Sequence, residues 1–227
     1  LFRDHNYVIG TILIFLFGLN IFSALLLLPL FLQEIQGYPV ITAGIVISLR
    51  GVGTAAGMIL SGRLAARIGH RNLIVVSLIL IAIPCAYMAT WTEQVPVFDV
   101  IAVNSVTGLA IGLLWVSLTT VTFSTLPATL RTEGASLFAL TRVVGASIGV
   151  SVFVAVLARS TQVNYGVLVE NVNRFNDALA QLQGSGFWST DSTTGLAQLS
   201  QAVAHQAQTI AFLNDFKLLV ATSLIGI

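Results

Sequence analysis

Charged residues are scarce in this sequence. They make up 8% of its 227 residues, against about 25% in an ordinary soluble domain. Ten Lys and Arg with nine Asp and Glu are too few to cover a water-soluble chain of this length. Hydrophobic residues make up 56%, and the mean hydropathy is +0.93. The composition predicts a protein that crosses a membrane several times, and a net charge of +1 with Lys217 as the only lysine provides no basic surface for nucleic acid.

Residues that carry catalysis or hold metal ions are also few. Cys85 is the only cysteine and lies in an apolar run, so neither a disulfide nor a cysteine-based zinc site is available. His5, His70 and His205 stand far apart and show no metal-ligand spacing. The phosphate-binding pattern G-x-x-x-x-G-K-[ST] is absent, which argues against nucleotide-driven transport by this chain. We therefore expect no enzyme activity, no metal site and no bound cofactor.

Long apolar runs dominate the chain instead. Crossing a hydrocarbon core takes about 20 apolar residues in a helix, and six runs are long enough, over 7–32, 41–61, 73–91, 96–122, 137–157 and 209–227. Each must be helical, because lipid offers no partner for an unpaired backbone group. The predicted fold class is an all-α membrane protein with six transmembrane helices. Because the sequence starts at Leu1 and ends inside an apolar run, we expect it to be part of a longer chain.

The basic residues predict the orientation of these helices. Arg63, Arg67 and Arg71 cluster between the second and third runs, and Arg131 follows the fourth. The connections at 33–39 and 92–95 contain a glutamate each and no lysine or arginine. Short cytoplasmic loops collect Lys and Arg. We therefore predict that the N-terminus of this chain and the connections at 63–71 and 127–136 face the cytoplasm.

One long segment, 160–208, is polar and is predicted to lie on the opposite side of the membrane. Two apolar stripes with helical spacing run through it, at Leu168, Val172, Phe175, Leu179 and Leu182 and at Leu196, Leu199 and Val203. The predicted domains are five transmembrane helices over 1–159, an extracytoplasmic helical hairpin over 160–208 and the last transmembrane helix, truncated, over 209–227. The hairpin could be a lid on its own protein or a docking surface for another.

Polar side chains within the apolar runs mark candidate functional positions. Arg50 is the clearest, because it lies near mid-depth, where a cation costs several kcal/mol unless it meets water or a partner. The alternative is a structural clamp on helix ends or carbonyls. Asn20, Asn104 and Trp115 could line a substrate path, although each alone is more often an interhelical contact. Arg142 is expected within about two turns of the cytoplasmic face, from which a long side chain can snorkel.

Glycines four residues apart recur in three of the runs. Such pairs let helix backbones approach closely, and they occur at Gly53 and Gly57, Gly108 and Gly112, and Gly145 and Gly149. Close packing alone explains them. The functional alternative is that tight, non-interlocked faces slide or rock during transport, with Arg142 beside the third pair.

Acidic residues are missing from the predicted helix centres. Asp99 and Asp215 are placed near the outer ends of their helices. A proton-coupled carrier usually needs a buried carboxylate. We therefore expect that carboxylate in another part of the parent protein.

The basic turn carries a family resemblance. Residues Gly62-Arg63-Leu-Ala-Ala-Arg67-Ile-Gly69-His-Arg71 resemble the second copy of the major facilitator superfamily loop signature, G-x-L-[AS]-D-R-x-G-[RK]-[RK], with Ala66 at the usual acidic position. The stretches 28–33 with Gly37-Tyr38, 126–134 and 142–149 resemble the fourteen-helix drug:proton antiporters of that superfamily. Leu49-Arg-Gly-Val-Gly53 resembles their proteobacterial multidrug-efflux branch.

This resemblance implies the C-terminal six-helix half of such a pump in a bacterial inner membrane. In that family two halves rock about a central site, and the proton-coupling acid belongs to the N-terminal half. The implied energy source is the proton gradient, with no cofactor. The implied partners are the N-terminal half of the same transporter, the lipid bilayer, small amphipathic substrates and, in Gram-negative members, a periplasmic adaptor protein.

Two other interpretations stay open. One is an exporter of a dedicated physiological substrate, such as a siderophore or fatty acid, on the same fold. The other is a non-transporting membrane assembly module. A buried carboxylate in the rest of the parent protein would favour either transporter over the module.

Overall fold

The computed structural model describes residues 1–171 and 193–226. Within these residues the chain forms six α-helices and no strand: α1 His5–Glu34, α2 Val40–Ile68, α3 His70–Met88, α4 Val97–Ser124, α5 Arg131–Asn171 and α6 Thr193–Ile225. A 3₁₀ turn, Ala128–Leu130, precedes α5. The all-α fold class predicted from the sequence is confirmed.

Local chemistry sets the ends of the helices. The Asp4 side chain caps α1 by accepting a hydrogen bond from the Tyr7 backbone N–H at 3.1 Å. The Thr125 hydroxyl donates to the same carboxylate at 2.8 Å, and this bond lowers the pKa of Asp4 below its ordinary value. Pro39 and Pro96 precede α2 and α4, where an absent N–H leaves no bond unmade. Gly69, with φ +81°, makes the one-residue turn between α2 and α3.

Five of the described helical segments are long and apolar enough to cross a membrane: α1, α2, α3, α4 and the segment Ala128–Glu170 that contains most of α5. Only 22–50% of the residues in their most apolar windows are buried inside this chain. Much of their apolar surface therefore faces outward, as expected for a multi-pass membrane protein. The sixth predicted crossing lies in α6, which is not among these five, so the count of six remains a prediction.

The helices pack as two close pairs with two helices beside them. The most extensive contacts join α2 to α4 and α1 to α5, while α3 packs on α4 and α6, and α6 also packs on α5. Leu27, Phe31, Val100 and Phe216 are among the fully buried side chains of the common core. At the C-terminal end of α1, this core is made of aromatic rings that pack together: Phe31, Trp91, Phe212 and Phe216.

Glycines form the closest contacts within both pairs. A β-carbon at Gly108 or Gly112 of α4 would overlap the carbonyl oxygen of Arg50 or Thr54 of α2. The same holds for Gly53 and Gly57 against α4, and for Gly145 and Gly149 of α5 against Phe15 and Leu19 of α1. The three predicted glycine pairs therefore lie at helix–helix contacts. Their gating role stays a prediction.

The predicted outer hairpin lies partly outside the described residues. Helix α5 runs without a break through residues 160–171, and α6 already includes 193–208. Both helices thus continue from the predicted membrane spans into the predicted outer segment. Phe175, Leu179 and Leu182, on which the hairpin prediction depends, are not among the described residues. The hairpin remains a prediction.

Candidate functional site

Arg142 of α5 lies on a partly exposed face that it shares with α1 and α4. Its guanidinium carbon is 5.7 Å from the centre of the Phe22 ring and 5.5 Å from that of Trp115. Phe17 of α1 extends the aromatic surface, with its ring 6.0 Å from the Trp115 ring. Among the described residues, no acidic side chain forms an ion pair with Arg142. We call Arg142, Phe22, Trp115 and Phe17 the cationic–aromatic face.

This face lies at mid-height in the helix bundle. Helix α5 begins at Arg131, eleven residues before Arg142, which corresponds to about 16 Å at 1.5 Å per residue. The carbonyl oxygen of Arg142 lies against Gly18, near the middle of α1. Helix α5 thus starts earlier than its apolar run, and the expectation that Arg142 lies within about two turns of the cytoplasmic face stays a prediction.

Arg50 lies in the seam between α2 and α4. Its side chain is 7% exposed, and its Nε and Nη2 atoms have no hydrogen-bond partner among the described residues. Its backbone touches Gly108 of α4, and the buried Cys85 of α3 lies within electrostatic range of its guanidinium. The sequence places Arg50 near mid-depth, and the structure places it inside the protein rather than on its surface.

Orphaned polar atoms also occur on α4, close to the Arg50 seam. Asn104 is fully buried, and its Nδ2 donates to the Val100 carbonyl at 2.8 Å, while its Oδ1 has no partner among the described residues. The Thr107 hydroxyl, one residue before Gly108, is likewise buried without a partner. Arg50, Asn104 and Thr107 thus place uncompensated donors and acceptors around one interhelical contact, and buried polar groups of this kind call for a ligand, water or a moving partner.

Asn20 does not belong to that seam. Its Nδ2 donates to the Leu219 carbonyl and to the Thr222 hydroxyl of α6, each at 2.9 Å. It also borders a cavity of about 20 Å³, lined otherwise mostly by apolar side chains of α1, α3, α4 and α6. A cavity of that size holds about one water molecule. Asn20 therefore makes an interhelical contact, which is the more common of its two predicted roles, the other being to line a substrate path.

The loop signature lies at the end of the bundle opposite the C-terminal end of α1. Arg63, Arg67 and Arg71 are exposed around the turn made by Gly69. Arg71 donates to the Asn6 side chain of the N-terminal segment at 3.2 Å. Gly62 has open space where a β-carbon would lie. This end of the molecule is thus a basic surface outside the apolar part of the helices.

Asp215 is a buried acidic residue that the sequence interpretation did not include among its candidate site residues. It is 0% exposed, and neither carboxylate oxygen has a hydrogen-bond partner among the described residues. It lies one helical turn before Leu219, which binds Asn20 near the middle of α1. The sequence contained a sign of this burial. Phe212 lies three residues before Asp215 and Leu219 four residues after it, and both are apolar and share its helix face.

Ionisable contacts also occur near the C-terminal ends of α1 and α3, against the first half of α6. Glu93 Oε1 and His205 Nδ1 lie 3.7 Å apart, and Gln208 donates to Glu34. Within residues 1–171 and 193–226, no group of three His, Cys, Asp or Glu side chains could hold a metal ion.

Comparison with known proteins supplies the family. The model of the Major Facilitator Superfamily matches residues 2–168. The multidrug export protein EmrB of Escherichia coli K12 is 31% identical over 205 residues, covering 87% of this chain and 40% of EmrB. EmrB of Haemophilus influenzae is 29% identical over 230 residues, covering 100% and 45%. The fatty acid resistance protein FarB of Neisseria gonorrhoeae is 25% identical over 215 residues, covering 95% and 40%. The chain spans less than half the length of these curated relatives, and it belongs to the major facilitator superfamily.

Proposed function

We propose that this chain is the C-terminal half of a secondary active transporter that exports toxic amphipathic compounds by proton antiport with alternating access. Similarity to multidrug export proteins along most of the chain supports export as the activity. The energy source would be the proton gradient, and no bound cofactor would be needed. The observation that carries the proposal is the cationic–aromatic face in the middle of the bundle.

The energetics of Arg142 indicate what that face must meet. Placing an arginine in the centre of a lipid-facing helix costs at least about 2.5 kcal/mol. Cation–π contacts with Phe22 and Trp115 offset part of this cost, by about 0.5–1 kcal/mol each where water reaches the site and about 2 kcal/mol or more where it does not, but they supply no acceptor for the guanidinium N–H donors. The partly exposed Arg142 is therefore expected to meet water, which supplies those acceptors. Water at that depth implies a cavity, and the cationic–aromatic face supplies one wall of it.

A second wall is needed to close such a cavity. The face draws on α1, α4 and α5, and Arg142, Phe22 and Trp115 are each only partly buried within this chain. We infer that the N-terminal half of the same transporter stands opposite. Substrates would pass between the two walls as the halves rock. Aromatic rings and a guanidinium would then offer an amphipathic substrate both apolar contact and a fixed charge.

The orientation follows from the exposed arginines at the α2–α3 turn. Arg63, Arg67 and Arg71 form a basic surface beside the N-terminal segment of this chain. Basic loops face the cytoplasm. We therefore propose a bacterial inner membrane location with this turn inside the cell and the Glu93–His205 end outside. A periplasmic adaptor would meet the protein at that outer end.

A dedicated substrate is a second candidate function. Similarity to a fatty acid resistance protein favours it, and Arg142 without an acidic partner suits a carboxylate. The two functions share the fold and the wall, so they differ only in the range of compounds exported.

The test uses the full-length parent protein in an efflux-deficient strain. Growth is measured with ethidium, deoxycholate and oleate for the wild type, Arg142→Gln and a matched control, Arg159→Gln, at an exposed position further along α5. We expect protection by the wild type and the control, and at least about a tenfold loss for Arg142→Gln at equal membrane expression, equivalent to 1.4 kcal/mol. Protection against oleate alone would favour the dedicated exporter. Full protection by Arg142→Gln would contradict the proposed wall.

A further inference from the structure

Asp215 is an ionisable group in the interior of the helix bundle that the proposed transport path does not use. The side chain is 0% exposed, and both carboxylate oxygens lack a hydrogen-bond partner among the described residues. The sequence predicts it near the outer end of the last apolar run, 209–227. In the structure it lies between the outer end of the bundle and its middle.

Two contacts of α6 with α1 show how far Asp215 lies from the outer end of the bundle. Leu219, one turn further along, accepts a hydrogen bond from Asn20 near the middle of α1. Gln208, seven residues earlier, bonds Glu34 at the C-terminal end of α1. At 1.5 Å per residue, Asp215 therefore lies about 10 Å inside the level where α1 ends.

Aromatic side chains pack on the residues that neighbour Asp215 along α6. Phe31 of α1 lies with its ring 5.7 Å from that of Phe212 and 5.6 Å from that of Phe216, the residue after Asp215. Trp91, just past α3, lies 6.1 Å from the Phe216 ring. The Trp91 Nε1–H is buried and has no partner among the described residues. Asp215 thus lies in sequence between two members of an aromatic cluster, and that cluster also contains an indole with an unused donor.

The ionisable groups on the elements packed against α6 are engaged elsewhere or exposed. Glu34 of α1 accepts from Gln208, Glu93 after α3 pairs with His205, and Tyr87 of α3 donates to Asp99 at 2.8 Å. Cys85 of α3 lies beside Arg50. Arg159, Tyr165 and Glu170 on α5 and Lys217 on α6 are exposed. Arg142 of α5 lies against Phe22 and Trp115, and Tyr7 of α1 donates to the Gly134 carbonyl. The others lie at the opposite, basic end of the bundle: His5, His70, Arg71, Arg131 and Glu133. In the described part of the chain, none of these groups bonds Asp215.

These surroundings disfavour the ionised carboxylate. Burying an unpaired charge costs far more than burying a neutral polar group, so such a group gains a proton instead. The neutral acid has an O–H to donate and needs less compensation. An ionisable residue held inside membrane-spanning helices is in addition a mark of function, often of proton transfer.

We infer that Asp215 is a proton-binding site within this half of the transporter. Its carboxylate takes a proton from water at the outer end when the helix ends around Phe31 and Trp91 part. The proton is held as a carboxylic acid in the conformation described here, and it returns to water when the cluster opens again. This assignment goes beyond the proposed function, because the family resemblance puts the coupling acid in the N-terminal half.

The test is infrared difference spectroscopy of the purified full-length parent protein. The wild type is compared with Asp215→Asn and with a matched control, Asp99→Asn, which removes the part-exposed carboxyl group on α4. At neutral pH we expect a carboxylic acid C=O band that is lost in Asp215→Asn and kept in Asp99→Asn. Raising the pH should convert that band to carboxylate absorption in the wild type.

The measurement reads protonation directly, so it distinguishes failure of this inference from failure of the proposed transport. A protein that exports nothing but shows the band would support the proton site alone. If Asp215→Asn does not fold, Asp215→Glu keeps the acid, and the band should then move to the glutamic acid position. An unchanged band in Asp215→Asn, or in Asp215→Glu, would overturn the inference.

Discussion

The glycine seam between α2 and α4 gives a prediction whose size follows from the structure. A β-carbon added at Gly112 would meet the Thr54 carbonyl oxygen, the Met58 nitrogen and the Gly57 carbonyl carbon. All three are backbone atoms, which cannot turn aside as the end of a flexible side chain can. Gly112→Ala must therefore push the two helices apart or strain them.

Two opposing effects decide how much Gly112→Ala changes the free energy of unfolding. Overpacking a tight contact costs about 1–3 kcal/mol. Alanine is favoured over glycine inside a helix by about 0.8–1 kcal/mol. The matched control is Gly51→Ala in α2, where open space surrounds the β-carbon position and only the second effect acts. We expect Gly51→Ala to raise the free energy of unfolding. Gly112→Ala should have a free energy of unfolding about 1–3 kcal/mol lower than that of Gly51→Ala, since the helix-propensity gain is common to both variants.

The assay is SDS-induced unfolding of the full-length parent protein in detergent micelles. Gly57→Ala should behave like Gly112→Ala, and the double variant should lose less than the sum of the two, because the same approach of backbones is opened by either change. Equal stability gains for Gly112→Ala and Gly51→Ala would refute this account of the seam. Additive losses would show that the two glycines act at separate contacts.

Two further predictions concern charge. Arg50→Ala should nearly abolish export by the full-length protein at unchanged membrane expression, because it removes a buried cation whose Nε and Nη2 are free of partners in the described structure. Arg50→Lys should keep part of the activity if charge matters and almost none if the guanidinium fork does, and wild-type resistance from the alanine variant would show that Arg50 is dispensable. In a Cys85→Ser background, cysteines at Arg67 and Gln94, both exposed, should differ in labelling by an impermeant reagent in intact cells. Only position 94 should react, and labelling at 67 would reverse the proposed orientation.

Membrane insertion and helix formation could be predicted because both are local. A run of about 20 apolar residues must be helical in lipid wherever its neighbours lie, and α1 to α4 match their runs closely. The glycine pairs could also be recognised, since small residues four apart share one helix face. The start of α5 could not, because residues 131–136 are polar enough to be read as a loop yet form its first turns.

The sequence alone determined that this chain is a helical membrane protein with a basic end, because composition and 3.6-residue periodicity act without knowledge of the fold. Tertiary structure decided which polar residues matter and how. Asn20 became an interhelical contact because α6 places Leu219 and Thr222 against it. Arg142 joined Phe22 and Trp115 because three helices meet there. Asp215 became an interior acid because α1, α3 and α5, all distant in sequence, pack on α6.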